Sequence, residues 1–410
     1  MRFLQVDTLE DARQKLLDEA KAWLPATELL PLPQAAGRIL AQDVYAANNS
    51  PHFRRSTVDG YAVIAKDVQG AGESIPSFLT VVGAVEMGKG ADFAITSGQC
   101  AEIPTGGMLP QGADAVVMVE FCETFGDDEV AVYKAAAHGD HIIQIGDDMR
   151  AGALLLPKGK RLTPQDIGAL AVAGAKNVSV FALPKIAFIS TGDELIVPHY
   201  NPLEDGKIRE SNTLSLAALA ARHGYDVVQT LSVPDDQYTI KQAIKQAMEI
   251  CDIVAVSGGS SQGKKDMTAD IIQMVATPGV FTHGIAIKPG KPTILGHDET
   301  SRTLLVGLPG HPISAMTVFE LLFGWLPPNL TGAAENFPIP AKLTTNVPGS
   351  DGKTTCCQCK LIFEDGAYTA HPIFSKSGLI ATLVEASGYF LIDRGTEGLH
   401  KGDNVLVYLY

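Results

Sequence analysis

At 410 residues, 46% of them apolar, the chain is too long for one hydrophobic core and can fill roughly two to four domains. A formal charge of −14 with no basic tract excludes a nucleic-acid scaffold, so any anion must be held locally by backbone N–H groups and a few lysines and arginines. The start at Met1-Arg2-Phe3-Leu4-Gln5 has no signal-peptide core, and no run reaches the roughly 18 apolar residues of a membrane span, so a soluble, cytoplasmic protein with reduced thiols is expected.

Thr8 with Asp11 three residues on has the form of a capping box, and Leu9, Ala12, Leu16, Leu17 and Ala20 follow at helical spacing. Residues 27–45 read as short extended pieces. From Pro51 to His141 the texture is β-rich, with runs such as Phe78–Val82 and Ala115–Val119 between glycines. Thr163-Pro164 is an N-cap with proline at N1, starting a helix that runs to Gly174. Strand and helix then alternate: strands at 185–190, 226–233 and 253–256, helices at 211–223, 236–250, 266–275 and 312–325. Such alternation predicts a mostly parallel sheet with helices on both faces. After Pro327-Pro328 the β pattern returns to the end, as a small barrel or sandwich.

The chemistry gathers where buried β-runs stop. Ile253–Val256 ends in Ser257-Gly258-Gly259-Ser260-Ser261-Gln262-Gly263-Lys264-Lys265-Asp266. A second turn is Lys288-Pro289-Gly290-Lys291-Pro292 and a third Gly307-Leu308-Pro309-Gly310-His311-Pro312. Glycines let backbone N–H groups approach an anion and lysines add charge, so three such turns at strand ends point to a phosphate or oxyanion site. The first nearly spells a P-loop, but Lys265 stands where a Mg²⁺-binding Ser or Thr is required. Carboxylates also cluster at element ends: Asp59, Asp193, Glu194, Asp235, Asp236 and Asp266. They suit either helix caps and turns or a Mg²⁺ facing phosphates. Cys356, Cys357 and Cys359 lack a second pair and read as buried thiols of a β-run. His283 and His311 read as exposed loop residues.

These segments, with Ser56-Thr57-Val58-Asp59-Gly60-Tyr61-Ala62-Val63, Pro104-Thr105-Gly106-Gly107, Gly112–Val117, Ser190–Leu195 and Ile208-Arg209-Glu210-Ser211-Asn212, carry a resemblance over the whole chain. The sequence resembles the molybdopterin molybdenumtransferase family, the bacterial MoeA proteins homologous to the gephyrin E domain. The resemblance implies a multi-domain α/β plus β fold. Segments 1–45 and 143–178 would form one domain, 46–142 a β-rich insertion, 179–327 a molybdopterin-binding-type α/β domain and 328–410 a C-terminal β-barrel. It implies a homodimer whose site is shared between the α/β domain of one subunit and the Asp59 segment of the other. The implied reaction inserts molybdate into adenylylated molybdopterin with Mg²⁺-dependent release of AMP, and other cofactor-biosynthesis proteins would be partners. Asp59, Glu194 and Asp266 would be catalytic, with Glu194, Asp236 and Asp266 holding the metal. Substrate would meet Thr105, Gly106, Ser257, Gly258, Gly259, Lys288, Lys291, Pro309, Gly310 and Pro312. The chain departs from the family pattern at Arg54-Arg55, Gln262, Lys264-Lys265, Gly284 and His311, all on the implied site. Adenylyl transfer to molybdopterin and a non-catalytic cofactor- or partner-binding paralogue are the competing functions.

Overall fold

A computed structural model describes residues 6–22, 24–126, 128–258, 265–334 and 337–410, without the side chains of Lys265 and Asp266. Its centre is a six-stranded sheet of β1 (Lys185–Thr191), β2 (Asp226–Val233), β3 (Ile253–Gly258), β4 (Pro278–His283), β5 (Ile294–Asp298) and β6 (Thr303–Leu308). The strand order is β2-β1-β3-β6-β5-β4. The first four run parallel, while β5 and β4 add antiparallel at one side.

The period-2 pleat sorts each strand's side chains between two cores. Ile186, Phe188, Ile253 and Ala255 face a core that contains Leu216 and Leu219 of α2 (Asn212–Arg222) and Ala315, Val318 and Phe319 of α5 (Pro312–Phe319). Ala187, Ile189, Val254 and Val256 face the opposite core, with Ile240 and Ile244 of α3 (Gln237–Met248) and Ile271 and Ile272 of α4 (Lys265–Val275). Both faces are covered, as the near-continuous apolar runs of β1, β3 and β6 require. The edge strand β2 instead alternates exposed and half-buried residues.

The N-terminal helix α1 (Leu9–Lys21) forms with the expected capping box, Asp11 N donating to Thr8 Oγ1 at 3.0 Å. Leu9, Ala12, Leu16, Leu17 and Ala20 are all buried, but in the central sheet's core. The expected segment 1–45 is thus divided between two cores. Leu32, Ala35 and Leu40 pack instead with Leu156, Leu162, Leu170, Val178 and Val180. There Thr163 caps the helix Pro164–Val172, with Pro164 at its start, and Gly174 follows at φ +82°.

The β-rich region is a second six-stranded sheet that includes Gly60–Val63, Gln99–Ile103 and Ala115–Met118. At the C-terminus, Ile339–Leu343, Thr354–Glu364, Ala367–Pro372, Gly388–Ile392 and Asn404–Leu409 close on themselves. Thr354–Glu364 pairs with both Ala367–Pro372 and Gly388–Ile392, which completes a five-stranded barrel. Cys356, Cys357 and Cys359 lie buried on that strand as free thiols. Burial pushes Cys357 and Cys359 up to about 12 and Cys356 well above the ordinary thiol range, so all three stay protonated at neutral pH.

The single helix expected over 312–325 is instead two pieces, with a third helix following beyond it. After α5 the chain runs as a π-helix over Glu320–Gly324 and then as the helix Leu326–Thr331. Buried Glu320 takes hydrogen bonds from Arg222 at 2.9 Å and pairs with His223 at 2.8 Å, which ties the π-helical segment to the far end of α2. No helix among the described residues is long and apolar enough to cross a membrane.

Candidate active site

The carboxyl ends of β1, β3 and β6 lie side by side, and Asn212 binds two of them together. Its Nδ2 donates at 2.8 Å to Ser257 Oγ at the end of β3 and at 2.8 Å to the Gly310 carbonyl beyond β6. Ser257 Oγ in turn donates to the Pro309 carbonyl at 3.3 Å. Asn212, Ser257 and Glu210 are all buried. Glu210 holds the start of α2, accepting Thr213 N at 2.8 Å and Thr213 Oγ1 at 2.7 Å. The sequence names Glu210 and Asn212 only within the Ile208–Asn212 motif of the resemblance and gives neither a site role. Their signal was the Arg209-Glu210-Ser211-Asn212 run just before a helical pattern.

Two glycines make close approaches, and only Gly258 meets backbone that cannot give way. At Gly258, with φ +135°, a Cβ would stand 2.3 Å from the Thr191 carbonyl. At Gly192, a Cβ would stand 2.8 Å from both oxygens of Glu194, whose exposed carboxylate folds back over the glycine at the end of β1. The β3 turn continues through Gly259, Gln262 and Lys264, which lie outside the described residues, as do the side chains of Lys265 and Asp266.

The Lys288–Lys291 turn reaches the same edge by another route. It links β4 to β5, and because β5 is antiparallel, its first residue Ile294 pairs with Gly307 near the carboxyl end of β6. Inside the turn, Ile285 N and Thr293 N donate to the Lys291 carbonyl at 3.0 and 2.9 Å, and Thr293 Oγ1 donates to the Gly290 carbonyl at 2.7 Å. Gly290, at φ +119°, lies against Val318 of α5, where a Cβ would come within 2.5 Å. Lys288 pairs with Thr355, so the turn is also the join to the barrel. Both lysine side chains are exposed. At the third turn, His311 precedes α5 without capping it, and its Nδ1 lies 2.9 Å from Ser377 Oγ of the barrel. Ser377 also accepts Ile313 N at 3.2 Å, and Pro312 occupies the first turn of α5.

Asp236 neighbours this edge through Asp235 N, which donates to Asp193 Oδ1 at 3.1 Å. It is the N-cap of α3, with Oδ2 taking Thr239 N at 2.8 Å and Thr239 Oγ1 at 2.7 Å. The Thr239 hydroxyl and N–H bonds hold its carboxyl below the usual range. Asp236→Asn is expected to keep the cap and the melting temperature, while Asp236→Ala lowers it, as read by thermal circular dichroism. Lost Mg²⁺ affinity in the Asn variant with unchanged melting would make Asp236 a metal ligand as well.

Asp59, Thr105 and Gly106 form a separate cluster in the β-rich sheet. Thr105 N donates to Asp59 Oδ1 at 2.6 Å, a bond that holds the exposed carboxyl ionised below the usual range. Gly106 N donates to the Ser56 carbonyl at 2.8 Å and Ser56 N to the Gly107 carbonyl at 3.0 Å. Gly60 is compulsory, since a Cβ would fall 1.9 Å from the Val117 carbonyl. Arg54 and Arg55 are half-buried beside this loop, and Arg55 Nε is buried without a hydrogen-bond partner among the described residues. None of the hydrogen bonds of Asp59, Thr105 and Gly106 among the described residues reaches the α/β edge.

Among the described residues no three carboxylate, His or Cys groups gather to hold a metal ion. The donors present still fit Mg²⁺, which keeps several waters and needs only one or two carboxylates. Glu194 offers an exposed carboxylate over Gly192, whereas one oxygen of Asp236 is committed to its cap.

Family models match almost end to end. They are the MoeA N-terminal region (domain I and II) at residues 7–174, the "Probable molybdopterin binding domain" at 187–328 and the MoeA C-terminal region (domain IV) at 340–410. The molybdopterin molybdenumtransferase of Bacillus subtilis (strain 168) is 31% identical over 392 residues, 93% of this chain and 90% of the relative. That of Staphylococcus aureus (strain N315) is 31% identical over 404 residues, 98% and 95% of the two chains. The molybdopterin biosynthesis MoeA protein from Pyrococcus horikoshii OT3 superposes with a TM-score of 0.82 at 31% identity, over 99% of this chain and 100% of that one. The chain belongs to the MoeA family, whose curated members include molybdopterin molybdenumtransferases.

Proposed function

We propose that this protein is a molybdopterin molybdenumtransferase, inserting molybdate into adenylylated molybdopterin with release of AMP in molybdenum cofactor biosynthesis. The carrying observation is the sheet edge where Asn212 joins Ser257 to Gly310 and the Lys288–Lys291 turn arrives from β4. A substrate with a pyrophosphate and an oxyanion needs backbone donors and cations fixed in place before it binds. Here the clamp fixes the turns, and exposed Lys288 and Lys291 supply charge at their rim. Glu194, with Asp266 from α4 and in a lesser part Asp236, would hold Mg²⁺. That ion would supply charge stabilisation for loss of the nucleotide. Asp59, kept ionised by Thr105 N–H, would complete the site from the partner subunit of a homodimer.

Reconstitution tests this reading. Purified protein, adenylylated molybdopterin, molybdate and Mg²⁺ are expected to yield AMP and active cofactor together. Formation of adenylylated molybdopterin from ATP instead would make it an adenylyltransferase, and binding without turnover would make it a carrier. Sedimentation at low micromolar concentration is expected to show one species of twice the chain mass. A stable, active monomer would refute the shared site.

A further inference from the structure

We propose that Asp7, in the segment leading into α1, is a positioning residue for the Lys288–Lys291 turn; this rests on reading that turn as an anion-binding element. Asp7 holds the turn through its backbone and through its side chain. Its N–H donates to the Gly284 carbonyl at 3.1 Å and its carbonyl accepts Ala286 N at 2.7 Å, a parallel bridge to Ile285. Its carboxylate, only 13% exposed, takes Lys15 Nζ of α1 at 2.7 and 2.9 Å. The oxygen nearer Lys15 also accepts Thr282 Oγ1 at 2.7 Å, from the buried face of β4. One residue therefore fixes three elements: α1, the end of β4 at Thr282 and the first residues of the loop.

The geometry of the loop explains why an external strut matters. Gly284 has φ +95°, and a Cβ there would only touch Val6 Cγ2 at 3.5 Å and the Lys291 carbonyl at 3.6 Å. Nothing in its own conformation stiffens that position, since glycine is the least restricted residue. Val6 and Asp7 lie over it and supply the restraint from outside. Beyond Gly284 the hydrogen bonds run inward, Gly284 N to the Thr293 carbonyl at 2.8 Å and Ile285 N to the Lys291 carbonyl at 3.0 Å. The Asp7 bridge at 284–286 thus sets the base from which both lysines project. The barrel holds the other side, where Thr354 N donates to the Ala286 carbonyl at 2.9 Å. The N-terminal segment and the barrel meet at Ala286, two residues before Lys288.

Titration of the full-length chain with molybdate, alongside melting temperatures, tests the assignment. Asp7→Ala is expected to weaken molybdate about tenfold, as loss of one or two modest hydrogen bonds predicts. Asp7→Asn, which keeps an acceptor for Thr282, is expected to recover most of that loss. Thr282→Val removes only the β4 strut and is expected to weaken binding about threefold, by the same rule. In a Lys288→Ala, Lys291→Ala background, Asp7→Ala is expected to change nothing further, because it acts through those lysines. Folded Asp7→Ala and Thr282→Val chains with wild-type affinity would overturn the proposal, and so would a full additional loss in the lysine-free background. Should Asp7→Ala not fold, Thr282→Val alone decides it. Wild-type affinity in the lysine-free chain would overturn the anion-binding reading itself, whatever Asp7 does.

Discussion

The Lys288→Ala, Lys291→Ala chain is expected to bind adenylylated molybdopterin about thirty- to a thousandfold more weakly than wild type, about 2–4 kcal/mol for two charge-assisted contacts. The figure is at the lower end for such contacts because both ammonium groups are exposed and partly screened. Their backbone is not the weak point. The turn is tied internally through Thr293, externally through Asp7, and to the barrel through Lys288–Thr355 pairing. Truncating the side chains leaves all of those bonds in place, so melting is expected to stay near wild type. Calorimetric titration at two salt concentrations checks the electrostatic origin, since the gap between the two proteins narrows as salt rises. Equal affinity at low salt would leave the turn as a structural join between sheet and barrel.

Where the sequence carried a local period, it gave the structure directly. The strands at 185–190 and 253–256 and the helices between them appear as read, because an apolar run followed by an amphipathic one leaves few alternatives in a covered sheet. The antiparallel strands β4 and β5 were not read as such. Each is short and carries a glycine, Gly279 or Gly296, packed against a neighbour, so neither shows a clean alternation. Docking of α1 on the central sheet was equally hidden, since its apolar stripe says that it is buried and not against what.

The site divides the same way. Glycines at Gly192, Gly258 and Gly60 were conspicuous, and each proves to be a place where a Cβ collides with backbone or with a carboxylate. Carboxylates were ambiguous because one side chain suits a cap and a metal equally well, and Asp236 takes the cap bonds. His311 is exposed as expected, yet its ring meets Ser377 of the barrel, a contact 66 residues away that no local pattern encodes.

Asn212 is the clearest case of a residue whose role is visible only in three dimensions, its partners lying 45 and 98 residues further along the chain. Asn212→Ala is expected to cost about 1–3 kcal/mol of stability, because it leaves the buried Ser257 hydroxyl without its donor, while the half-buried Gly310 carbonyl can turn to water. AMP release is expected to fall further than stability, since the β3 and β6 turns lose their common tie and misplacement by a fraction of an ångström is costly in a preorganised site. Asn212→Asp separates shape from hydrogen bonding. It fills the same space but offers a carboxylate to the Gly310 carbonyl, where Asn offered N–H. Burial raises the folded pKa of such a group above its unfolded value of about 3.9. The sign follows: the Asp variant is at its best below that unfolded value, where the protonated acid can donate, and loses stability as pH rises through the folded pKa. Urea denaturation of wild type, Asn212→Ala and Asn212→Asp from acid to neutral pH therefore has a defined pattern. The gap between Asp and wild type widens with pH, while the gap between Ala and wild type stays level. A level gap for both variants would mean that Asn212 contributes volume, and that the turns are held together by other bonds.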